Sequence, residues 1–348
     1  MPLKLKQLLR TLVSFAIAAF FLYLAFRGTD FAELWISLKS ANYWWISLLV
    51  PVGLLSHWVR AIRWGYLLKP VKANTSKRNL FSGVMIGYMV NNALPRVGEL
   101  VRPYILGKLE GISKTSALGS VVIERILDFL TFYFIVSVVL FAYPSSLTPF
   151  FENVNAVRPL LLASSIICFF LFVLLFFKAG TFVLFTGKLK VLLPMKYRAR
   201  FDSLMDSFQT GLAVSKMRDS FFPIVVLSFL MQALYALGLY IPFFAFSSMA
   251  ALRLDFGASV ILLTISSIAF VLPAPGGIGT YHSFMTFTLM KLYGIDNATA
   301  LGYSLITHEV GYILITIVGL YFFLKDHVHI ADATTQSPDG GRQSESDK

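Results

Sequence analysis

A single cysteine, Cys168, occurs among 348 residues, so no disulfide can form within the chain and no multi-thiolate zinc site exists. Charge is scarce too: Asp, Glu, Lys and Arg supply 14% of residues against 57% hydrophobic ones, and mean hydropathy is +0.71. A water-soluble globular domain is excluded by that balance. No Gly-x-x-x-x-Gly-Lys-Ser/Thr loop is present to bind ATP phosphates, and no Asp-x-Asp pair offers itself to a metal. Acidic residues are outnumbered, 18 against 30 Lys and Arg, for a formal net charge of +12. The basic residues sit in short loops beside apolar runs, where they set topology and meet anionic head groups, so nucleic acid is not expected as a partner.

What is abundant is long apolar sequence. A bilayer core of roughly 30 Å takes about 20 helical residues to cross, and runs near 8–26, 43–58, 116–143, 159–177, 220–246 and 298–324 supply them. The expectation is an all-α polytopic membrane protein, with about six full spans and two broken or re-entrant segments in an inverted repeat. Lys4, Lys6 and Arg10 precede the first run, but aromatic residues close it where a cleavage site would need small ones, so it reads as a retained span. Phe31, Leu34, Trp35 and Leu38 then fall on one face of a surface helix. Arg60 and Arg63, with His57, read as the interface that ends the second span. Eight Lys and Arg between residues 178 and 218 mark a cytoplasmic connection. A single membrane domain over 1–325, a disordered cytoplasmic tail over 326–348, both termini cytoplasmic and residence in the cell (inner) membrane follow from this map.

The two anomalous segments carry the functional argument. Leu80 to Leu94 is too short to span before it meets Pro95, Arg96, Gly98, Glu99 and Arg102. Residues 256–290 hold no Asp, Glu, Lys or Arg, yet they are cut by Pro273-Ala274-Pro275-Gly276-Gly277-Ile278-Gly279. After each break comes a related stretch: residues 109–129 and 292–312 agree at seven of 21 positions, including Gly-Ile and Ala-Leu-Gly. Half-repeats of about 43–143 and 220–324 follow, and inverted repeats with broken helices in matching places point to a transporter with a central site.

Charges inside an apolar span are costly and therefore informative. Glu124, Arg125 and Asp128 lie well within the span that starts near Ser116, with Arg125 and Asp128 at i,i+3. They suit either a head-group cavity or an ion pair that locks two helices. Arg96, Glu99 and Arg102 flank the first break, where a helix end and two arginines would favour a phosphodiester over a neutral ligand. Pro273, Gly276, Gly277 and Gly279 read as a cradle or hinge at the second break. His308, beside Glu309, is aligned by the repeat with Arg125 and fits proton coupling or a plain helix contact. His282 lacks a second metal ligand at useful spacing.

Four segments in order, Arg60-Ala-Ile-Arg-Trp64, Asn91-Asn-Ala-Leu-Pro-Arg-Val-Gly-Glu-Leu-Val-Arg102, Val122-Ile-Glu-Arg-Ile-Leu-Asp128 and Leu272-Pro-Ala-Pro-Gly-Gly-Ile-Gly279, resemble the flippase-like transmembrane region of lysylphosphatidylglycerol synthases, as in the multiple peptide resistance factor. The resemblance runs from about residue 10 to 325 and implies a lipid-translocating module. A stand-alone member without the synthase domain is expected, so synthase activity is not carried over; other relatives are linked with polyprenol-phosphate glycosyl transfer or hopanoid handling. By position the resemblance assigns Arg96, Glu99, Arg102, Glu124, Arg125 and Asp128 to an inner site and Pro273, Gly276, Gly277 and Gly279 to an outer one.

The expected function is therefore a flippase-like transporter that moves a polar or anionic phospholipid between leaflets, with no cofactor and no metal. The rivals are a membrane-embedded enzyme on a lipid-linked sugar or phosphate, with Glu99 or Asp128 as general base, and an accessory partner of a separate lipid synthase or glycosyltransferase. Expected partners are membrane lipids, such a synthase or glycosyltransferase, and a second copy of the chain in a homo-oligomer.

Overall fold

The computed structural model describes residues 3–143, 154–178 and 219–326; the expected basic connection beyond residue 178 and the expected tail beyond residue 326 lie outside the described residues. In chain order the helices are α1 (Leu3–Phe26), α2 (Phe31–Ser40), α3 (Tyr43–Ser47), α4 (Leu49–Leu68), α5 (Lys77–Ala93), α6 (Gly98–Glu110), α7 (Lys114–Ala142), α8 (Val154–Lys178), α9 (Phe221–Tyr240), α10 (Ser247–Ala251), α11 (Phe256–Ala269), α12 (Thr280–Tyr293) and α13 (Asn297–Lys325). Short 3-10 turns occupy Ile241–Phe244 and Pro275–Gly277, and no strand occurs among the described residues. The fold is an all-α membrane bundle.

Among the described residues, four stretches are long and apolar enough to cross a membrane: Tyr43–Leu68, Lys114–Ala142, Phe221–Phe244 and Asn297–Lys325. The first expected span, 8–26, lies within α1, which an 86° bend separates from Phe31–Ser40, and the run expected near 159–177 lies within α8. Large apolar side chains such as Phe20, Phe129, Phe170, Phe222 and Ile317 face outward, as a hydrocarbon solvent permits.

Local chemistry sets the helix ends. Asn42, Ser76, Ser113, Asp255 and Asp296 each accept a backbone N–H at the start of the following helix. Gly111 and Gly294, both left-handed with φ 65°, close α6 and α12. The recurring Gly-Ile pair is thus a left-handed cap followed at once by the N-cap Ser113 or Asp296, and each then opens a helix of 29 residues.

Both broken segments turn back instead of crossing. The Glu110 carboxylate, at the end of α6, accepts from Lys72 Nζ at 2.6 Å, Asn79 Nδ2 at 2.8 Å and the Ser76 amide at 3.0 Å, so α5 begins where α6 ends. Arg78 and Ser82 bind Asp326 at that same end. The opposite end gathers Thr29 with Asn297, the Asn42 amide with the Ala245 carbonyl, and the Tyr143 ring on Gly257. There α11 starts and, after α12 has returned, α13 starts. Arg63 faces Ser228 and Arg60 faces Tyr235, so α4 and α9 are antiparallel. In the same way α5 lies antiparallel on α13, from Ser82 with Asp326 to Asn92 with Thr316, while α11 packs on α7. The series α4, α5/α6, α7 and the series α9, α11/α12, α13 therefore traverse the bundle in opposite senses, and their hairpin tips meet inside it.

Candidate functional site

Arg60 and Arg63 lie one helical turn apart on α4, and both are buried. Their guanidinium groups converge with that of Arg102, from α6, on two carboxylates of α7. Glu124, fully buried, takes a bidentate pair from Arg102 at 2.9 and 2.8 Å, a bond from Arg60, and one from Arg125 at 2.9 Å. Asp128 is bound by Arg63 and, at 2.8 Å, by Arg60, with Arg125 3.5 Å away. Neutral groups complete the shell. The Tyr235 hydroxyl accepts from Arg60 at 3.0 Å, Ser228 Oγ accepts from Arg63 at 2.9 Å, and the Arg102 guanidinium stacks 3.8 Å over Trp64. Isolated charges at this depth would be prohibitive, and pairing with forked arginines is what makes their burial tolerable.

Four arginines against two carboxylates leave an excess of two positive charges. The excess has one outlet: the Arg125 side chain is 35% exposed where Glu124 is 0%. Its open side faces a cavity of about 450 Å³ at the tips of the two hairpins, walled by Asn91, Asn92, Arg96 and Glu99 from one and Phe270, Pro273, Gly276 and Gly277 from the other. A second cavity, about 490 Å³, shares Tyr88, Arg125, Phe270, Thr307, Gly311 and Ile315 with the first. It continues toward Leu49, Val52, Leu239 and Leu263, an apolar wall between α4, α9 and α11. The first chamber, which carries more of the polar groups, thus shares a wall with a more apolar second one.

The hairpin tips hold each other. Arg96, in the left-handed region at φ 68°, donates from Nη2 to the Val271 carbonyl at 3.1 Å; a non-glycine residue held there is strained. Inside the first hairpin, a Cβ on Gly98 would fall 1.8 Å from the Gly87 carbonyl oxygen, so α5 and α6 touch backbone to backbone. The Gly98 amide already donates to Asn91 Oδ1 at 2.7 Å and does not await a phosphate. Gly276, Gly277 and Gly279 all have positive φ, which lets the second tip pass under Tyr312, Phe270 and α1.

The residues expected to form separate inner and outer sites are thereby redistributed. Arg96, Glu99, Arg125, Pro273, Gly276, Gly277 and His308 share one cavity wall. Arg102, Glu124 and Asp128 stand behind it as the ion cluster, so Arg102 does not face a turn in solvent. Gly279 lies away from the cavity, against the Ala18 carbonyl of α1. Two readings are corrected. Arg60, Arg63 and His57 do not mark an interface: α4 continues to Leu68, and all three are buried, with His57 on the wall of the second cavity. His282 does have neighbours with donor atoms, since its ring stands beside His308 and Glu309. The clue for the arginines lay in Arg60-Ala-Ile-Arg-Trp64, two arginines on one helix face inside an otherwise apolar run. Nothing in the sequence announced Ser228 or Tyr235.

Residues 11–319 match the family model for the lysylphosphatidylglycerol synthase TM region. A UPF0104 membrane protein of Methanothermobacter thermautotrophicus is 24% identical over 300 residues, covering 82% of this chain and 86% of that one. One from Pyrococcus horikoshii is 24% identical over 310 residues, covering 82% and 88%. One from Methanocaldococcus jannaschii is 33% identical over 100 residues, which span 28% of this chain and 30% of that relative. No solved structure matches significantly.

Proposed function

The chain belongs to the lysylphosphatidylglycerol synthase transmembrane-region family, and from that premise we propose that it moves a polar or anionic phospholipid between the leaflets of the cell membrane. The observation that carries the reading is the outlet at Arg125: a cluster with surplus positive charge exposes one guanidinium to a chamber that shares a wall with a more apolar one. A phosphodiester offers the oxygens a forked guanidinium prefers, and acyl tails suit the wall from Leu49 to Leu263. Hairpins entering from opposite ends give the chamber two gates, as alternating access requires. Glu99, on the chamber wall, adds an acceptor for hydroxyl or amine groups of the head.

A transporter is favoured over an enzyme because Asp128, one of the two acids that could act as general base, is bound by arginines on both oxygens. Basic residues gathered at the end that holds Lys72, Lys77 and Arg78 support a cytoplasmic position for that end. The test is translocation of fluorescent anionic and zwitterionic phospholipids in proteoliposomes of the purified chain. Transport that is lost in Arg125→Ala and partly restored in Arg125→Lys supports the reading. A folded parent that moves no head group overturns it.

A further inference from the structure

Outside the arginine cluster, buried polar groups converge at the second hairpin tip, where hydrogen-bond roles can be counted. The Gly279 amide donates to His282 Nδ1 at 3.2 Å, so that nitrogen carries the lone pair and Nε2 carries the hydrogen of the neutral ring. His282 Nε2 is buried without a hydrogen-bond partner and stands 3.6 Å from Glu309 Oε1. His308 is caught between two acceptors. Its Nε2 is 2.9 Å from the Gly276 carbonyl oxygen, and its Nδ1 is 3.0 Å from Glu309 Oε1. A carbonyl oxygen cannot donate, so Nε2–H does. Nδ1 then meets the acid, and a neutral ring beside an ionised carboxylate would set two lone pairs against each other. The arrangement demands one additional proton, on His308 Nδ1 or on Glu309.

Three ligand atoms within 4.8 Å would also be close enough for a metal ion. The hydrogen bond from Gly279 speaks against it, because ligation through His282 Nε2 needs a hydrogen on Nδ1, which would face the N–H donor.

We propose that His308 and Glu309 share one exchangeable proton, and that this proton latches the second hairpin tip. With it in place, His308 ties the Gly276 carbonyl and Glu309 together. When it leaves through the half-exposed Glu309, the neutral ring keeps a single N–H and can hold only one of the two acceptors. The other is released. Titratable groups around the pair are Tyr281 on α12 and Tyr312 on α13, with ring centroids 5.1 and 5.9 Å from His308. Across the chamber stand Tyr88, Arg96, Glu99 and Arg125, and on α4, which packs on α13, His57 and Arg60. Glu33 and Lys39 of α2 belong with the start of α13, near Leu301, and the described side chains of α1 add no charged group. The latch stands on hydrogen-bond geometry alone; its use as the coupling ion of lipid movement rests on the function proposed above.

The test uses the full chain in lipid nanodiscs. ¹⁵N-histidine NMR and the infrared carboxyl band, followed from pH 5 to 9, report the proton, and amide exchange of the peptide around Gly276–Gly279, corrected for intrinsic rates, reports the latch. On the acid side, either an imidazolium at His308 or a protonated carboxyl that disappears in Glu309→Gln is expected. Protection of the tip should fall at least about tenfold as the proton leaves. In Glu309→Gln the amide donates permanently to Nδ1, so protection should stay high at every pH; in His308→Ala it should be low at every pH. Tip exchange that is flat with pH in the parent overturns the proposal, as does a neutral His308 with an ionised Glu309 throughout, or stoichiometric zinc lost in His282→Ala. If lipids fail to move while the titration appears, the flippase reading falls and the latch stands.

Discussion

The hairpins α5/α6 and α11/α12 have the same plan, helix, break and returning helix, yet they are fixed by opposite chemistry. The first is clamped by charge, since Arg102 binds Glu124, which also holds α4 through Arg60. The second is held by neutral backbone groups and glycine packing, with the Gly279 amide donating to His282 and His308 donating to the Gly276 carbonyl. A buried ion cluster is stiff because every partner removed strands a charge in a medium that cannot solvate it. A single hydrogen bond to a carbonyl costs only about 1 kcal/mol to exchange. The comparison teaches that the second hairpin is the less firmly tied of the two, while the first is locked to α4 and α7 through Glu124.

The sharpest way to break that contrast is Glu124→Gln. Arg60, Arg63 and Arg125 would then share Asp128 and Arg102 would keep no acid, and a loss of about 3–5 kcal/mol is expected in chemical denaturation in detergent, where His308→Ala should cost about 1–2 kcal/mol. Equal losses would show that the halves are not held differently. Gly98→Ala comes next, with about 1–3 kcal/mol from driving α5 and α6 apart at Gly87; a variant with the parent's melting temperature would mean that the backbone contact has slack. Arg125→Ala should leave stability within about 1 kcal/mol, being the most exposed member of the cluster, while translocation of anionic lipid drops at least tenfold. An unchanged rate would strip the outlet of its role. The smallest effect concerns the surface tie of the first hairpin. Burial alone would raise the Glu110 carboxyl, but hydrogen bonds from Lys72, Asn79 and the Ser76 amide outweigh it and hold it below the usual glutamate value. A depressed pKa in the folded state means stability that is present above the ordinary value, about 4.3, and lost as pH falls through the folded one. Glu110→Gln should therefore lower stability at neutral pH and flatten its decline in acid, read as melting temperature against pH.

Much of this was legible beforehand. The low charge content announced a membrane bundle, the two Pro/Gly breaks announced interrupted helices, and the Gly-Ile repeat is now seen to mark a left-handed cap followed by an N-cap at Gly111 and Gly294. Glu124, Arg125 and Asp128 stood out because charge inside an apolar run has few bland explanations. Their division of labour did not, because Glu124 at 0% exposure and Arg125 at 35% are neighbours in sequence and differ only in what other helices bring to them. Arg60 and Arg63 were misread for the same reason: beside a basic loop, an arginine that ends a span and one buried within it look alike.

The sequence by itself determined that the chain is a membrane bundle and which segments are broken, since both depend on hydrophobicity and on backbone rules that act within a few residues. Only the tertiary structure decided that two hairpins meet at their tips, that four arginines from three helices surround two acids of one, and that His282 stands beside His308. The meeting of the tips arises from packing between distant segments, 175 positions apart in the bond from Arg96 to Val271, and an interaction over that separation leaves no local trace in composition or periodicity.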